Sequence, residues 1–420
     1  YGFIHNSIIA GDDMMFCLDK YPQSLETRLR RRGEAVPGGS RLLYISINDG
    51  KILHEETNNV FGSWLGYSEE YKFLLQATRP SRDMLNGDDG KRMIVYNVVI
   101  NDIVWDKAVN YLNPPIIHND RIITNGEGFS LLTGEPLTEA DMITGEKINW
   151  GFKREYGCGY VVASENLLTF RSASAAFLNL DSFEGTASLG GFKAGCSANL
   201  IVADGVLNSP DYTRTCQCPY QNQTSLAFIS MPWMSYWTNS NYKWNGSRIK
   251  KLGLNINAPG DRVSASDVLW LDFPNAGGPD AGIPVKMDTA GYFTIRKEPV
   301  SVKQEGTPWV SSSAAGGIRS IVIPLCRDKN AGEESYTVTF YFSELGGAAA
   351  GERVFDVYLQ DRKVIGELDI VKEAGGTDRE ITRSFKGIRA VDLLKVAFVA
   401  GKGETLISGI EIRMEERPLN

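Results

Sequence analysis

Residues 157–180 read GCGYVVASENLLTFRSASAAFLNL, followed by GGFKAGC at 190–196 and Cys216-Gln217-Cys218. Short strand-like runs such as LLTFRS are cut by glycines, which supply tight turns, so this stretch reads as all-β. Four of the six cysteines fall inside it. Upstream lie β units that cannot close a core alone; downstream lies a separate β domain.

A chain of 420 residues should hold two or more domains. Its 42% hydrophobic and 23% charged content is ordinary for a globular protein with a large core. A net charge of -7 with a pI near 5.3 argues against nucleic acid or an anionic membrane as the main partner. No apolar run approaches the ~20 residues that cross a bilayer, so no membrane span is expected. The sequence opens on Tyr1. The expectation is a removed signal peptide or the tail of a longer chain. Cysteines clustered this unevenly fit an exported, oxidising location, periplasmic or extracellular.

Working outward from the stretch, the N-terminal third carries a repeat. SRLLYISINDGKILHEE (40–56) is a strand, an Asn48-Asp49-Gly50 turn and a strand. KRMIVYNVVINDIVWDK (91–107) repeats the shape, and a third copy ends in TGEKINWGF (144–152). Each unit alternates apolar and polar residues at period two, as half-buried hairpins do. The spacing of about 45–55 residues is that of propeller blades. Ahead of the first copy, 21–40 reads as a short helix and loop, with Arg30-Arg31-Arg32 either solvated or gripping an anion.

These units resemble the blades of pyrroloquinoline-quinone-type β-propellers, in which a tryptophan after the turn docks one blade onto the next. Trp105 and Trp150 match that position and His54 replaces it in the first copy. The segment from Gly157 to Cys218 resembles the C-terminal blades of exported planctomycete-type quinone-binding-like repeat proteins. The resemblance implies a partial propeller over 1–250, several blades of a seven- or eight-bladed ring. The missing blades would come from an upstream segment or a partner chain. It implies a fold and not a bound quinone, because the adjacent cysteines and the ligand set of the catalytic members are absent from this sequence.

Residues 251–300 read as a junction rich in Gly and Pro turns, and 301–420 as a β-sandwich. Tyr336-Thr337-Val338, Phe342-Ser343-Glu344, Arg353 to Val357, Ala374-Gly375-Gly376 and Ser408 to Ile412 occur in the order found in malectin-like carbohydrate-binding domains. The resemblance implies sugar recognition.

Chemistry is fainter. Cys158, Cys196, Cys216 and Cys218 are spaced for disulfides rather than a paired zinc knuckle, with the connectivity open; soft-metal binding and buried thiols are the alternatives. Cys17 and Cys326 read as single core residues. His5 and His118 are the candidate bases, against the plainer reading of hydrogen-bonded loop histidines. Adjacent acids such as Glu69-Glu70 and Glu333-Glu334 face opposite ways on a strand and make poor catalytic pairs.

Sugars offer C–H faces to aromatic rings and hydroxyls to polar side chains. MPWMSYWTNSNYKWNG (231–246) is the densest aromatic stretch and nominates Trp233, Tyr236 and Trp237 for that role. Its plainer reading is a packing anchor. Tyr292, Phe293 and Trp309 are the candidates nearer the sandwich. The expectation is an exported carbohydrate-recognition or scaffold protein. The alternatives are a carbohydrate-active or quinone-dependent enzyme working in the propeller funnel, and a purely structural propeller.

Overall fold

The computed structural model describes the chain apart from residues 1–6, 22, 37–38, 81–89, 183, 194–199, 211–223, 232–235, 304–306 and 417–420. It divides into two compact units: Tyr1–Glu139, Asn149–Leu180 and Leu189–Ser230 form one; Ala140–Ile148, Asp181–Ser188 and Met231–Asn420 form the other. Strand dominates both. No helix among the described residues is long and apolar enough to cross a membrane.

The first unit is a series of small antiparallel sheets. Ile8–Gly11, Met14–Asp19, Arg41–Ser46 and Ile52–Glu56 make a four-stranded sheet, and Trp64–Ser68, Phe73–Ala77, Arg92–Asn97 and Asp102–Ala108 make the next. Alternation explains how they stack. Phe16, Leu18, Leu42 and Tyr44 leave one face of the first sheet and meet Leu65, Leu74, Ile94 and Tyr96 from the second. The opposite face of the second sheet sends Leu75, Met93, Val95 and Trp105 to Ile122 and Phe129 of a third sheet, formed by Ile116–His118, Arg121–Ile123 and Gly128–Ser130, and to Leu131 just after it. The second sheet thus buries both faces against neighbours. No sheet among the described residues closes into a ring.

Trp105 is the clearest link in this series. Its Nε1–H donates to the Leu131 carbonyl at 2.8 Å, and its ring lies against Gly134. Gly134 has φ +69°, and a Cβ there would sit 2.9 Å from the indole. Gly134→Ala should therefore cost about 1–2 kcal/mol, from left-handed strain plus the clash, read as a lower unfolding midpoint at unchanged denaturant slope. Trp150 instead covers Gly128 of the third sheet itself, while Phe152 reaches Phe170 at 5.2 Å.

Arg154 organises the Gly-Cys-Gly turn. Its Nη2 donates to the carbonyls of Gly157, Cys158 and Gly159 at 3.3, 3.1 and 2.9 Å, and its Nε to the Arg171 carbonyl at 2.9 Å. Gly157 is required because a Cβ would meet that same carbonyl at 2.4 Å. Cys158 is half-buried here. Cys196, Cys216 and Cys218 lie outside the described residues, so the disulfides stay an expectation. Cys17 and Cys326 are buried single thiols, each pushed up in pKa by burial.

The second unit is a two-sheet sandwich. One sheet runs in the order Arg262–Val263, Leu269–Phe273, Lys251–Ile256, Gly409–Met414, Glu334–Ser343, Glu380–Ala390. The other pairs Lys286–Arg296, Ser313–Pro324, Leu393–Lys402, Val354–Leu359 and Arg362–Leu368. Leu252, Leu254, Ile410, Ile412, Val338 and Phe340 from the first sheet meet Ile321, Ile323, Val357, Val396 and Phe398 from the second in one core. The segment read as a junction supplies three strands of the first sheet and the edge strand of the second. Its Gly and Pro turns separate strands, of which Lys251–Ile256 and Leu269–Phe273 are buried, rather than loosening a linker. Tyr242 and Trp244 are also core residues of this unit. Val354–Leu359 and Arg362–Leu368 form a hairpin. Gln360 and Asp361 both adopt positive φ at its turn, 48° and 62°, without a glycine to signal it.

Candidate functional site

The nominated residues do not all converge. His5 and Trp233 lie outside the described residues. His118 ends a strand of the first unit, where its Nε2–H donates to the Glu165 carbonyl at 2.9 Å. Tyr292 and Phe293 sit on the edge strand Lys286–Arg296 beside a register shift. There Phe293 lies under the Arg353 guanidinium at 5.4 Å, and Tyr292 is 41% exposed.

Trp237 and Trp309 do meet, on the outer face of the other sheet. In that sheet Leu269, Leu271, Leu252 and Leu254 point into the core, so Trp270, Asp272, Gly253 and Asn255 must point outward. The Trp270 ring lies across Gly253, where a Cβ would come within 2.1 Å of it. Only glycine allows the indole to lie flat over the neighbouring strand. Trp309 meets Trp270 edge-on at 5.8 Å and Trp237 edge-on at 6.2 Å, and Tyr341 meets Trp270 at 5.1 Å. Asn255, fully buried, fixes Trp309 by donating to its carbonyl at 3.2 Å.

Arg262 lies between two of these rings, 5.0 Å from the centroid of Trp309 and 5.5 Å from that of Trp237. Burial lowers its pKa, opposed by the charge of Glu184. Burial likewise raises the carboxyl of Glu184. Across the face, the Tyr341 hydroxyl donates to Glu411 at 2.9 Å, Arg413 pairs with the same carboxylate, and Ser311 donates to Glu380, itself raised by burial. Aromatic edges, hydroxyls, a guanidinium and carboxyls share one sheet face. Tyr236 is half-buried.

A second constellation lies at the end of the same strands. Asp261 accepts the amides of Ser240 at 2.8 Å and Asp272 at 2.9 Å, and its carboxyl hydrogen-bonds that of Asp272. Desolvation pushes Asp261 up to about 7 and raises Asp272. Both line a pocket of about 140 Å³ with Asn275 and Asp280. Touching carboxyls share a proton, but they leave no room for a sugar ring between them.

Sequence reasoning missed Arg262, Trp270, Tyr341 and the aspartate pair. The signal present was VLWLDF at 268–273, where Trp and Asp alternate with leucines and so share the outward face.

The malectin domain family matches residues 329–415. Those residues hold strands of both sheets, and strands between 251 and 324 complete them. A malectin domain within an all-β chain is therefore the class that fold and sequence define. No curated protein matches the chain. Solved structures with similarity include a β-glucuronidase of Bacteroides uniformis, at 17% identity over 40% of this chain and 18% of that chain, TM-score 0.31. The ANXUR1 extracellular domain from Arabidopsis thaliana gives 14%, 39%, 48% and 0.31 in the same order. A chain of the plant peptide RALF23 complex with FER and LLG2 gives 18%, 46%, 58% and 0.32. The chain spans 18% to 58% of these proteins, and such scores carry nothing beyond the domain match.

Proposed function

We propose that this chain is an exported carbohydrate-recognition protein. Its first unit is the C-terminal arc of a quinoprotein-type propeller, and its sandwich holds the sugar on the outer face built around Trp237 and Trp309. The observation that carries this reading is the gathering of those two indoles with Trp270, Tyr341 and Arg262 on the sheet to which the matched residues 329–415 supply three of six strands; of the five, Tyr341 lies within the match. Stacking surface beside polar groups is what a sugar's two chemistries require. The serial packing of small sheets, with Trp105 linking one to the next, supports the propeller assignment.

A glycan array probed with the full chain tests the proposal. Binding to at least one glycan at submillimolar concentration is expected. Trp237→Ala, at a half-buried position, should weaken it by roughly tenfold or more through loss of about 1.5 kcal/mol of ring contact. Binding to no sugar, or binding unaffected by Trp237→Ala and by Trp309→Leu, contradicts it.

A further inference from the structure

Three of the segments that carry the aromatic cluster are tied together from behind by one carboxyl. Trp237 stands just before the strand Thr238–Asn239, Arg262 on Arg262–Val263 and Trp270 on Leu269–Phe273. Asp261 accepts the Ser240 amide on Oδ2 at 2.8 Å and the Asp272 amide on Oδ1 at 2.9 Å. Its backbone pairs with Thr238 in both directions, at 3.0 and 2.8 Å, and the Thr238 hydroxyl donates to its carbonyl at 3.1 Å. Trp237 follows that pairing closely: a Cβ on Gly260 would sit 3.0 Å from the Trp237 Cβ.

The tie is made of two acids beside a cavity. The Asp261 carboxyl hydrogen-bonds that of Asp272, which also accepts the Ala276 amide, and both line the pocket of about 140 Å³. With one proton between them the carboxyls hold each other; with none they repel, and the pocket gives them room to part. The charged groups around the pair are few. Asp280, in the same pocket, acts on Asp272, and Lys243 comes near Asp280 across Gly282. Arg262, next in the chain, answers to Glu184 on the outer face. Desolvation outweighs the two amides that favour the charged form and carries Asp261 up to about 7, so the proton exchanges near neutral pH.

We propose that this shared proton gates the aromatic face: the Asp261–Asp272 pair fastens the strap 238–240, and Trp237 with it, while it holds the proton, and releases the strap when the proton leaves. This rests on the carbohydrate reading above and adds its regulation. The sign follows from the pair. A carboxyl raised in the fastened state favours that state in acid and stops favouring it as pH climbs through neutral. Trp309 keeps its own anchor, the Asn255 side chain at 3.2 Å, so the strap is the part that moves. Sugar binding is therefore tight in acid and weak in alkali, and by linkage a bound glycan draws a proton onto the pair.

The first test needs no ligand. Indole and amide ¹⁵N–H spectra of the full chain are recorded from pH 5 to 8.5. The Trp237 indole should titrate with one midpoint near neutral, and the Ser240 amide should lose roughly tenfold or more in hydrogen-exchange protection over the same range. The Trp244 indole and the amides of Glu334–Ser343 should hold. Asp261→Asn keeps an acceptor for Ser240 and cannot ionise, so it should fix Trp237 in its acid position at every pH. Asp280→Asn should lower the midpoint without abolishing it, because it removes a charge that acts on Asp272. A Trp237 signal indifferent to pH in the unaltered chain overturns the gate with no variant involved. So does a transition in which Trp244 and the Glu334–Ser343 amides move with Trp237, since that is unfolding of the unit. The second test takes the glycan with the strongest array signal, whose affinity should fall by roughly tenfold or more from pH 5 to 8.5. Affinity independent of pH overturns the gate and leaves the carbohydrate reading standing. An array without a binder overturns the carbohydrate reading, whereas a silent Trp237 overturns the gate, so separate measurements tell the two failures apart.

Discussion

Raising the pH from 4 to 8 should destabilise the sandwich unit, by on the order of a few kcal/mol, through the Asp261–Asp272 pair, and Asp261→Asn should remove most of that dependence. Asp261 is 2% exposed and its carboxyl titrates near 7, against 3.8 for the free side chain. Desolvation is the main cause, reinforced by the negative charge of Asp272. A carboxyl raised in the folded state contributes its full stability below its unfolded pKa. That contribution is lost as pH climbs through the folded value, here between about pH 4 and 7. Asparagine mimics the protonated form, so the variant should match the parent near pH 4 and be the more stable of the two at pH 8. Denaturation profiles of both at a series of pH values check it; parallel profiles would mean that Asp261 is ionised in the folded chain.

Glu344→Ala should be the most damaging single change in the ion-pair set, at about 3–5 kcal/mol. Glu344 is fully buried; its Oε2 accepts from Arg353 Nε at 2.7 Å and its Oε1 from the Gly346 amide at 2.8 Å. Removing the carboxylate strands a guanidinium whose side chain is only 14% exposed and which also donates to the Glu404 carbonyl at 2.7 Å. Glu344→Gln keeps an acceptor for Gly346 but loses the charge, and should cost about half as much. By contrast, the exposed Arg389–Glu333 pair should contribute under about 1 kcal/mol. Urea titration of the three variants orders them. Equal losses for Glu344→Ala and Glu333→Ala would show that burial does not set the scale.

The strands of the malectin domain were legible because their alternation is regular: Glu334–Ser343 buries Tyr336, Val338, Phe340 and Phe342 at period two. The hairpin at Gln360–Asp361 was not, since neither residue is a turn glycine. The segment 251–300 hid its strands for a different reason. Leu254 and Leu271 pair across a parallel ladder, and that partnership is invisible when each short run is read alone. The candidate site was half legible. Aromatic density pointed to Trp237, and position before the sandwich pointed to Trp309. Arg262 and Trp270 carry no local motif; only the ladder register sets them side by side. Tyr242 and Trp244, in the same aromatic stretch as Trp237, turn inward, so density of rings marked core and surface alike.

The most direct test of a sugar site on the outer sheet face is the indole ¹⁵N–H spectrum of the full chain, recorded while titrating a glycan that binds in the array. The account predicts that the Trp237, Trp270 and Trp309 signals, which share one cluster, move together and saturably, while Trp105, Trp150 and Trp244, which pack elsewhere, stay put. Saturable shifts confined to tryptophans of the first unit, with the three outer-face indoles unmoved, would contradict it.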